Sequence, residues 1–453
     1  MSELVAGLDA GFLLTETSTT LWHICGVLVV DPATAPEPFS VEGVRRLVAA
    51  RLDAIEAFHK MIDGGPLGLV PRWTNADVDV DVHVVPAQLD GSGGVVELAA
   101  LAARISATPL DRTRPLWELH VVEDLGDGRA AVVAKVHHAL VDGISAVGLL
   151  AGLLDLEPRP PGATALNLAP QDVRQPPSVG ELPRLALNAG RAASRAAVRS
   201  ARLVVRSGKR YSFAFGGPRT PGHAALTTRR DVGVVSLPVD DVRAVRATFG
   251  VTFHDVVLAA VAGALRTWVS DAGQLPDRPL VAIVPTSTRA ADTAARSHNQ
   301  VSALFVSLPV QIADPAARLR AVHDDTTRSK ALHDEAGPET LGSLAAVAPW
   351  RTLSALWRAG WWLGAARALP PVANLLVTSV PGPPVPLYLA GARLVGLYPL
   401  GPILEGVPIN VTVVSREDCV DVGILTCPDL VPAAPALAAL LPSAVSDLAT
   451  AAP

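Results

Sequence analysis

The stretch that most constrains the fold of this 453-residue chain is residues 132–150, VVAKVHHALVDGISAVGLL. Its first five residues are apolar and rich in valine apart from Lys135, which predicts a strand. Beyond Asp142 the apolar residues recur at helical spacing. His137 and His138 therefore lie where a strand ends and the chain turns. Titratable groups within so apolar a stretch require an explanation, whether structural or functional.

The histidine pair and the following Asp142-Gly143 admit three interpretations. The pair could be structural, with Asp142 and Gly143 serving only the turn. It could bind a metal, but no HExxH or paired-cysteine spacing supports that interpretation. It could supply a general base, with Asp142 holding the turn. The complete pattern, HHxxxDG at 137–143, resembles the active-site motif of the CoA-dependent acyltransferase superfamily, which favours the third interpretation.

Composition limits the class of protein. The length suits two domains or one two-lobed unit with a large core. The net charge of −5 gives no reason to expect a nucleic-acid partner. Three cysteines do not make a disulfide framework, which indicates a reducing, cytoplasmic environment. No basic, apolar signal peptide is visible, and no uncharged apolar stretch reaches the roughly 18 residues that a spanning helix needs.

Hydrophobic periodicity predicts an α/β chain. The predicted strands lie at 23–30, 78–85, 117–123, 129–136, 232–237, 280–285, 301–309, 375–380, 409–415 and 420–426. The predicted helices lie at 41–57, 95–105 and 256–269, the last capped by Thr252, with one further helix closing the chain. The strands at 117–123 and 129–136 flank Gly126-Asp127-Gly128 and predict a hairpin that delivers the histidines.

Changes in composition suggest the domain boundaries. Residues 1–157 form a first lobe with the histidine motif, 158–183 a proline-rich linker, 184–230 a basic helical connector and 231–453 a second lobe. The connector has arginines at helical spacing: Arg191, Arg195, Arg199, Arg202 and Arg206. This stripe is either a solvated helix face or a contact for lipid headgroups or CoA phosphates. The tryptophan-rich region 341–368 suits either core packing or a membrane interface.

Motifs along nearly the whole chain give a more specific resemblance than the one to the superfamily. They are PLDRTRPLW at 109–117, the HHxxxDG pattern, VSALFVSLP at 301–309, VPGPP at 380–384, LYLAGA at 387–392 and INVT at 409–412. In this order they resemble the bacterial wax ester synthase/diacylglycerol acyltransferase family. One departure is His254 before Asp255, where that family usually carries asparagine.

The resemblance implies a two-lobed α/β fold, each lobe a mixed sheet with helices, and an active-site tunnel between the lobes. It also implies transfer of a long-chain acyl group from acyl-CoA to diacylglycerol or a long-chain fatty alcohol, with no cofactor and no metal. A neutral imidazole is a suitable base for a hydroxyl at cytoplasmic pH. Without a G-x-S-x-G elbow or a nearby cysteine, we expect direct transfer and no acyl-enzyme.

The resemblance places the base at His138, with His137 orienting the loop and Asp142 structural. Because adjacent strand residues face opposite sides, the two histidines are expected to have different surroundings. A buried carboxylate must be paired, so Arg112, Arg114 or Arg289 is the expected partner of Asp142. The other structural residues expected in the motifs are Gly143, Asp111 and Asp255. The candidates for lining the tunnel are Ser379, Asn410, Thr412 and Asn299.

Two alternatives stay open from the sequence. One is a related acyltransferase with a different acceptor, of the condensation or polyketide-associated kind, although no carrier-domain serine motif is visible. The other is a catalytically silent lipid-binding relative, against which the intact HHxxxDG pattern argues. Since both substrates are lipids and no spanning segment is found, we expect peripheral association with the inner membrane or lipid droplets.

Overall fold

The computed structural model describes residues 3–5, 7–63, 71–91, 93–140, 152–158, 216–287, 301–336, 355, 359–360, 364 and 370–451. The arginine stripe, most of the linker, most of the tryptophan-rich region and the helix expected after Gly143 lie outside these residues. The proposed division into lobes, linker and connector stays a prediction.

The first large sheet carries the histidine motif. Its seven strands, in spatial order, are β5 (Val84–Pro86), β6 (Trp117–Val122), β7 (Ala130–His137), β2 (His23–Asp31), β14 (Ala392–Leu400), β13 (Tyr388–Leu389) and β8 (Leu154–Asp155). Only β5 and β6 pair in parallel. Because β13 and β14 come from the C-terminal part of the chain, that part completes the sheet begun by the N-terminal part.

The second large sheet has six strands and is also mixed. In spatial order they are β11 (Val301–Leu308), β10 (Leu280–Ser287), β12 (Leu375–Pro381), β15 (Ile409–Ser415), β16 (Cys419–Thr426) and β9 (Asp231–Pro238). β12 pairs in parallel with β10 and β15, and the remaining pairs are antiparallel. A small sheet of β1 (Glu3–Leu4), β4 (Arg72–Asn75) and β3 (Lys60–Asp63) lies beside the first.

Helices cover the sheets on their apolar faces. They are α1 (Gly7–Thr15), α2 (Val41–Arg51), α3 (Val80–His83), α4 (Val95–Ala107), α5 (Val239–Phe249), α6 (Phe253–Asp271), α7 (Pro315–Ala336), α8 (Ala434–Ala439) and α9 (Leu441–Thr450). Helix α2 packs on one face of the first sheet. Helix α4 packs on the other face and also contacts β9 of the second sheet, so it lies between the two sheets.

Helices α5 and α6 were compared with the length and composition that a membrane-spanning helix requires. No single helix among the described residues is long and apolar enough to cross a bilayer. These two helices meet the length and composition requirement only as a pair, and the chain bends by 106° between them. Most of α6 is buried in the core of the second lobe, from Val256 to Leu265.

Most of the predicted elements are confirmed, including the hairpin of β6 and β7. The strand predicted at 78–85 is wrong, because four of its residues form α3 and only Val84–Pro86 is a strand. The Asp79 side chain accepts a hydrogen bond from Asp81 N and thereby starts a helical turn. The helix predicted at 41–57 ends at Arg51 and continues as short 3-10 turns.

Candidate active site

The backbone at the histidine pair is held by hydrogen bonds to the strands on either side. His137, the last residue of β7, donates its N–H to the Leu116 carbonyl, with an N···O distance of 3.0 Å. His138 N donates to the Trp22 carbonyl at 2.7 Å, and Leu140 N donates to the His137 carbonyl at 3.0 Å. The chain therefore leaves the sheet in a tight turn whose position is fixed by β2 and β6.

The His137 side chain is buried at 1% exposure and bonds through both ring nitrogens. Its Nε2 lies 2.8 Å from Glu16 Oε2, just beyond the C-terminal end of α1. Its Nδ1 lies 3.0 Å from Ala139 N. His137 thus connects α1 to the backbone that follows His138.

Charged and titratable groups surround the Glu16 carboxylate. His23 Nε2 is 3.9 Å from Glu16 Oε2, and Arg112 Nη2 is 3.2 Å from Glu16 Oε1. Arg112 also donates to the Leu13 carbonyl. Burial alone would raise the pKa of Glu16, but the hydrogen bond from His137 and the nearby Arg112 guanidinium outweigh it and lower the pKa to about 2. Glu16 is therefore a carboxylate at physiological pH.

The two histidines of this cluster are expected to be neutral. Burial lowers the pKa of His137, against the hydrogen bond to Glu16, which raises it. Burial also holds the pKa of His23 well below its usual range, and the charge of the buried Lys135 adds to this effect. Neutral imidazoles between an anion and nearby cations leave the cluster with little net charge.

The His138 side chain lies in different surroundings, against aromatic rings. Its ring centroid is 4.4 Å from that of Phe12 on α1 and 6.3 Å from that of Trp22. Trp22 Nε1 donates to Thr15 Oγ1 at 2.9 Å, which fixes the indole to the end of α1. His138 is half-buried, whereas His137 is fully buried. Helix α1 and the residue that follows it therefore support both histidines.

The second lobe contacts the same region through the turn before β2. Glu405 accepts hydrogen bonds from Thr19 Oγ1 and from Leu226 N, each at 2.8 Å. Arg230 donates to the Thr19 carbonyl. Thr19 is three residues from Glu16, so the polar cluster lies close to the junction of the lobes. In the described part of the chain, no three His, Cys, Asp or Glu side chains are placed to hold a metal ion.

The residues that the sequence predicts for the site are only partly described. Asp142, Gly143, Arg289 and Asn299 lie outside the described residues, so the pairing of Asp142 stays a prediction. Arg112 contacts Glu16, and Arg114 Nε lies 3.4 Å from Asp111 Oδ2.

Asp255, expected to be structural, is fully buried at the start of α6. Its carboxylate accepts hydrogen bonds from Thr252 N, His323 Nδ1 and Thr326 Oγ1. Together with Thr252 it forms a capping box, so α6 begins at Phe253, three residues earlier than predicted. Burial lowers the pKa of the neighbouring His254 to about 4.

Two of the tunnel candidates bond to each other in the second sheet. Thr412 Oγ1 donates to Asn410 Oδ1 at 2.7 Å, and Asn410 Nδ2 donates to the Pro402 carbonyl at 2.9 Å. Ser379 on β12 is half-buried and in register with Val413 on β15. The placement of these residues along a tunnel stays a prediction.

Sequence reasoning missed the residues that hold the histidines. Glu16, Phe12, Trp22 and His23 come from a segment for which the sequence predicts only the strand that begins at residue 23. The sequence does contain a signal for these residues. A carboxylate comes just after an apolar helix, and a tryptophan and a histidine follow at the start of a strand. Nothing in the sequence pairs that carboxylate with a residue 121 positions away.

The chain matches two family models that together cover most of it. Residues 5–257 match the wax ester synthase/diacylglycerol acyltransferase catalytic domain, and residues 298–448 match the WS/DGAT C-terminal domain. A probable diacylglycerol O-acyltransferase of Mycobacterium tuberculosis is 34% identical over 447 residues, covering 97% of each chain. A second protein of that organism, named as a putative diacylglycerol O-acyltransferase, is 36% identical over 435 residues, covering 94% of each.

Solved structures show the same fold. The wax ester synthase/diacylglycerol acyltransferase from Marinobacter aquaeolei VT8 superposes with a TM-score of 0.72 at 26% identity, covering 98% of both chains. The first condensation domain of the CDA synthetase superposes with a TM-score of 0.62 at 16% identity, covering 100% of this chain and 97% of that one. The predicted two-lobed α/β fold is therefore confirmed.

Proposed function

Because the chain belongs to the wax ester synthase/diacylglycerol acyltransferase family and is an acyltransferase, we propose that it moves a long-chain acyl group from acyl-CoA to diacylglycerol or a long-chain alcohol. In this reaction His138 is the general base. The observation that carries the base assignment is the division between the two histidines. His137 is fully buried and bonds through both ring nitrogens, whereas His138 is only half-buried and its ring packs against Phe12 and Trp22.

The reaction is a direct transfer. The His138 imidazole removes the proton of the acceptor hydroxyl, and the oxygen attacks the thioester carbonyl. The C–S bond of the tetrahedral intermediate then breaks, and the imidazolium returns its proton to the CoA thiolate.

The lipid substrates require a means of reaching a membrane or lipid droplet. The arginine stripe between Arg191 and Arg206 supports a peripheral mode, since clustered arginines attract anionic headgroups. The tryptophan-rich region at 341–368 would add apolar anchoring at the interface. Docking of this kind brings the diacylglycerol acceptor to the enzyme without a spanning segment.

A lipid-product assay tests the function. Purified protein is incubated with palmitoyl-CoA alone, with diacylglycerol, or with hexadecanol, and free CoA and the lipid products are measured. We expect CoA release only when a hydroxyl acceptor is present, with triacylglycerol or wax ester formed in equal amount. The His138→Ala variant serves as the inactive control.

The outcomes separate the mechanisms. Rapid acylation of the protein without an acceptor would contradict direct transfer, and acyl-CoA binding without turnover would identify a silent lipid-binding relative. A His138→Ala protein that keeps the wild-type rate would exclude this residue as the base.

A further inference from the structure

The tautomer of His137 follows from its two hydrogen-bond partners. The backbone N–H of Ala139 can only donate, so His137 Nδ1, at 3.0 Å, must accept and carries no proton. The single imidazole proton is therefore on Nε2, and it is donated to the Glu16 carboxylate at 2.8 Å. Both bonds are satisfied by the neutral ring, in agreement with its lowered pKa.

The bond to Ala139 acts on the peptide group that directly follows His138. This peptide is otherwise part of the tight turn closed by Leu140 N and the His137 carbonyl. If His137 took a proton on Nδ1, the Ala139 N–H would lose its acceptor while buried. The chain immediately after His138 would then shift.

We propose that Glu16 is a positioning residue for acyl transfer. Its carboxylate holds His137 with the proton on Nε2. His137 Nδ1 is then free of a proton, accepts the hydrogen bond from Ala139 N–H and fixes the backbone that carries His138. The proposal rests on the proposed function, because it takes His138 as the reacting base. Glu16 reaches no reacting atom in this scheme and acts only through His137.

The surroundings of Glu16 show why a carboxylate is needed at this position. Its Oε2 accepts from His137, while its Oε1 faces the Arg112 guanidinium at 3.2 Å. Arg112 is held in turn by the Leu13 carbonyl at the end of α1. A carboxylate with one oxygen for each donor thus ties α1, the 109–117 motif and the histidine turn together.

The test compares Glu16→Ala and Glu16→Gln with the wild type in the same acyl-transfer assay. Removing the carboxylate lets the turn move, and a misplacement of about 1 Å costs about a hundred-fold in rate. We expect Glu16→Ala to lower kcat about 10- to 100-fold with KM for palmitoyl-CoA within about two-fold. Glu16→Gln keeps an oxygen that accepts from His137 Nε2–H, so its kcat should be about ten-fold higher than that of Glu16→Ala. It also serves as the folded variant if Glu16→Ala is unstable.

A spectroscopic readout separates positioning from simple stabilisation. In full-length protein with ¹⁵N-labelled histidine, the His137 signals, assigned through the His137→Gln variant, should show Nε2 protonated and Nδ1 unprotonated. Glu16→Ala should mix the two tautomers, and Glu16→Gln should restore the wild-type pattern. The matched control is Asp421→Asn, which removes a different carboxylate, fully buried and bonded to Arg416 at 2.8 Å, and should leave kcat unchanged.

The results distinguish this proposal from the proposed function. A wild-type protein that transfers no acyl group overturns the proposed function and the role of Glu16 with it. An active wild type with an unchanged kcat or an unchanged His137 tautomer in Glu16→Ala overturns the role of Glu16 alone. An equal loss of kcat in Asp421→Asn would show that any buried carboxylate matters, and would also contradict a specific positioning role.

Discussion

Replacing His137 with alanine should destabilise the protein much more than replacing its neighbour. The change leaves the buried Ala139 N–H without an acceptor, which costs about 1–3 kcal/mol. It also removes the 2.8 Å donor to the largely buried Glu16 carboxylate, and a hydrogen bond to a charged group contributes about 1.5–3 kcal/mol. Because Arg112 still pairs with Glu16, we expect the lower part of the combined range, about 3–4 kcal/mol.

His138→Ala should show the opposite pattern. Its half-buried ring loses contact with Phe12, for which we expect about 1 kcal/mol or less. Loss of a general base lowers the rate by about a hundred- to ten-thousand-fold. His138→Ala is therefore the folded but inactive variant, and His137→Ala the unstable one.

Urea unfolding followed by far-ultraviolet circular dichroism, combined with turnover of the folded protein, measures both quantities. His120→Ala is the matched control, because His120 lies on the adjacent strand β6 in a partly exposed hydrogen bond with Glu118. It should change the unfolding free energy by less than about 1 kcal/mol. If His137→Ala is as stable as this control, the two hydrogen bonds of His137 do not support the fold as reasoned. If His138→Ala stays active, the base is misassigned.

The remaining predictions concern acid stability, the second lobe and membrane docking. The pKa of His254 is about 4 in the folded protein against an ordinary 6.5, so the unfolded chain binds a proton first as the pH falls. The free energy of unfolding should therefore drop between pH 6.5 and 4, by about 2 kcal/mol at pH 5. His254→Asn should remove this part of the loss when urea unfolding is compared at pH 7 and pH 5. An unchanged pH dependence in the variant would contradict the role of His254. Asp255→Asn cannot satisfy the three donors of the native carboxylate and should cost about 3–5 kcal/mol in the same measurement, whereas a loss below 1 kcal/mol would show that the buried cluster is not stabilising. Neutralising part of the arginine stripe should weaken binding to anionic liposomes, and salt should weaken wild-type binding in parallel; salt-independent binding unaffected by the change would exclude electrostatic docking. The residues to replace are Arg195, Arg199 and Arg202.

The sequence by itself determined the elements, the fold class and the position of the histidine pair. Periodicity located the hairpin of β6 and β7, because both strands are local and buried on one or both faces. Thr252 marked the start of α6 through its capping side chain, which is also a local interaction. Sequence reasoning failed at 78–85, where one aspartate hydrogen bond outweighed an alternating pattern.

The tertiary structure alone decided the partners of the histidines. Glu16 is 121 positions from His137 in the chain, and strand pairing of β2 with β7 brings the two segments together. Likewise, β13 and β14 of the C-terminal part complete the first sheet, although no local pattern specifies where they pair. Periodicity predicts which face of a helix or strand is buried. The residues that pack against that face come from distant parts of the sequence, so the local pattern does not specify them. These distant contacts set the protonation of His137.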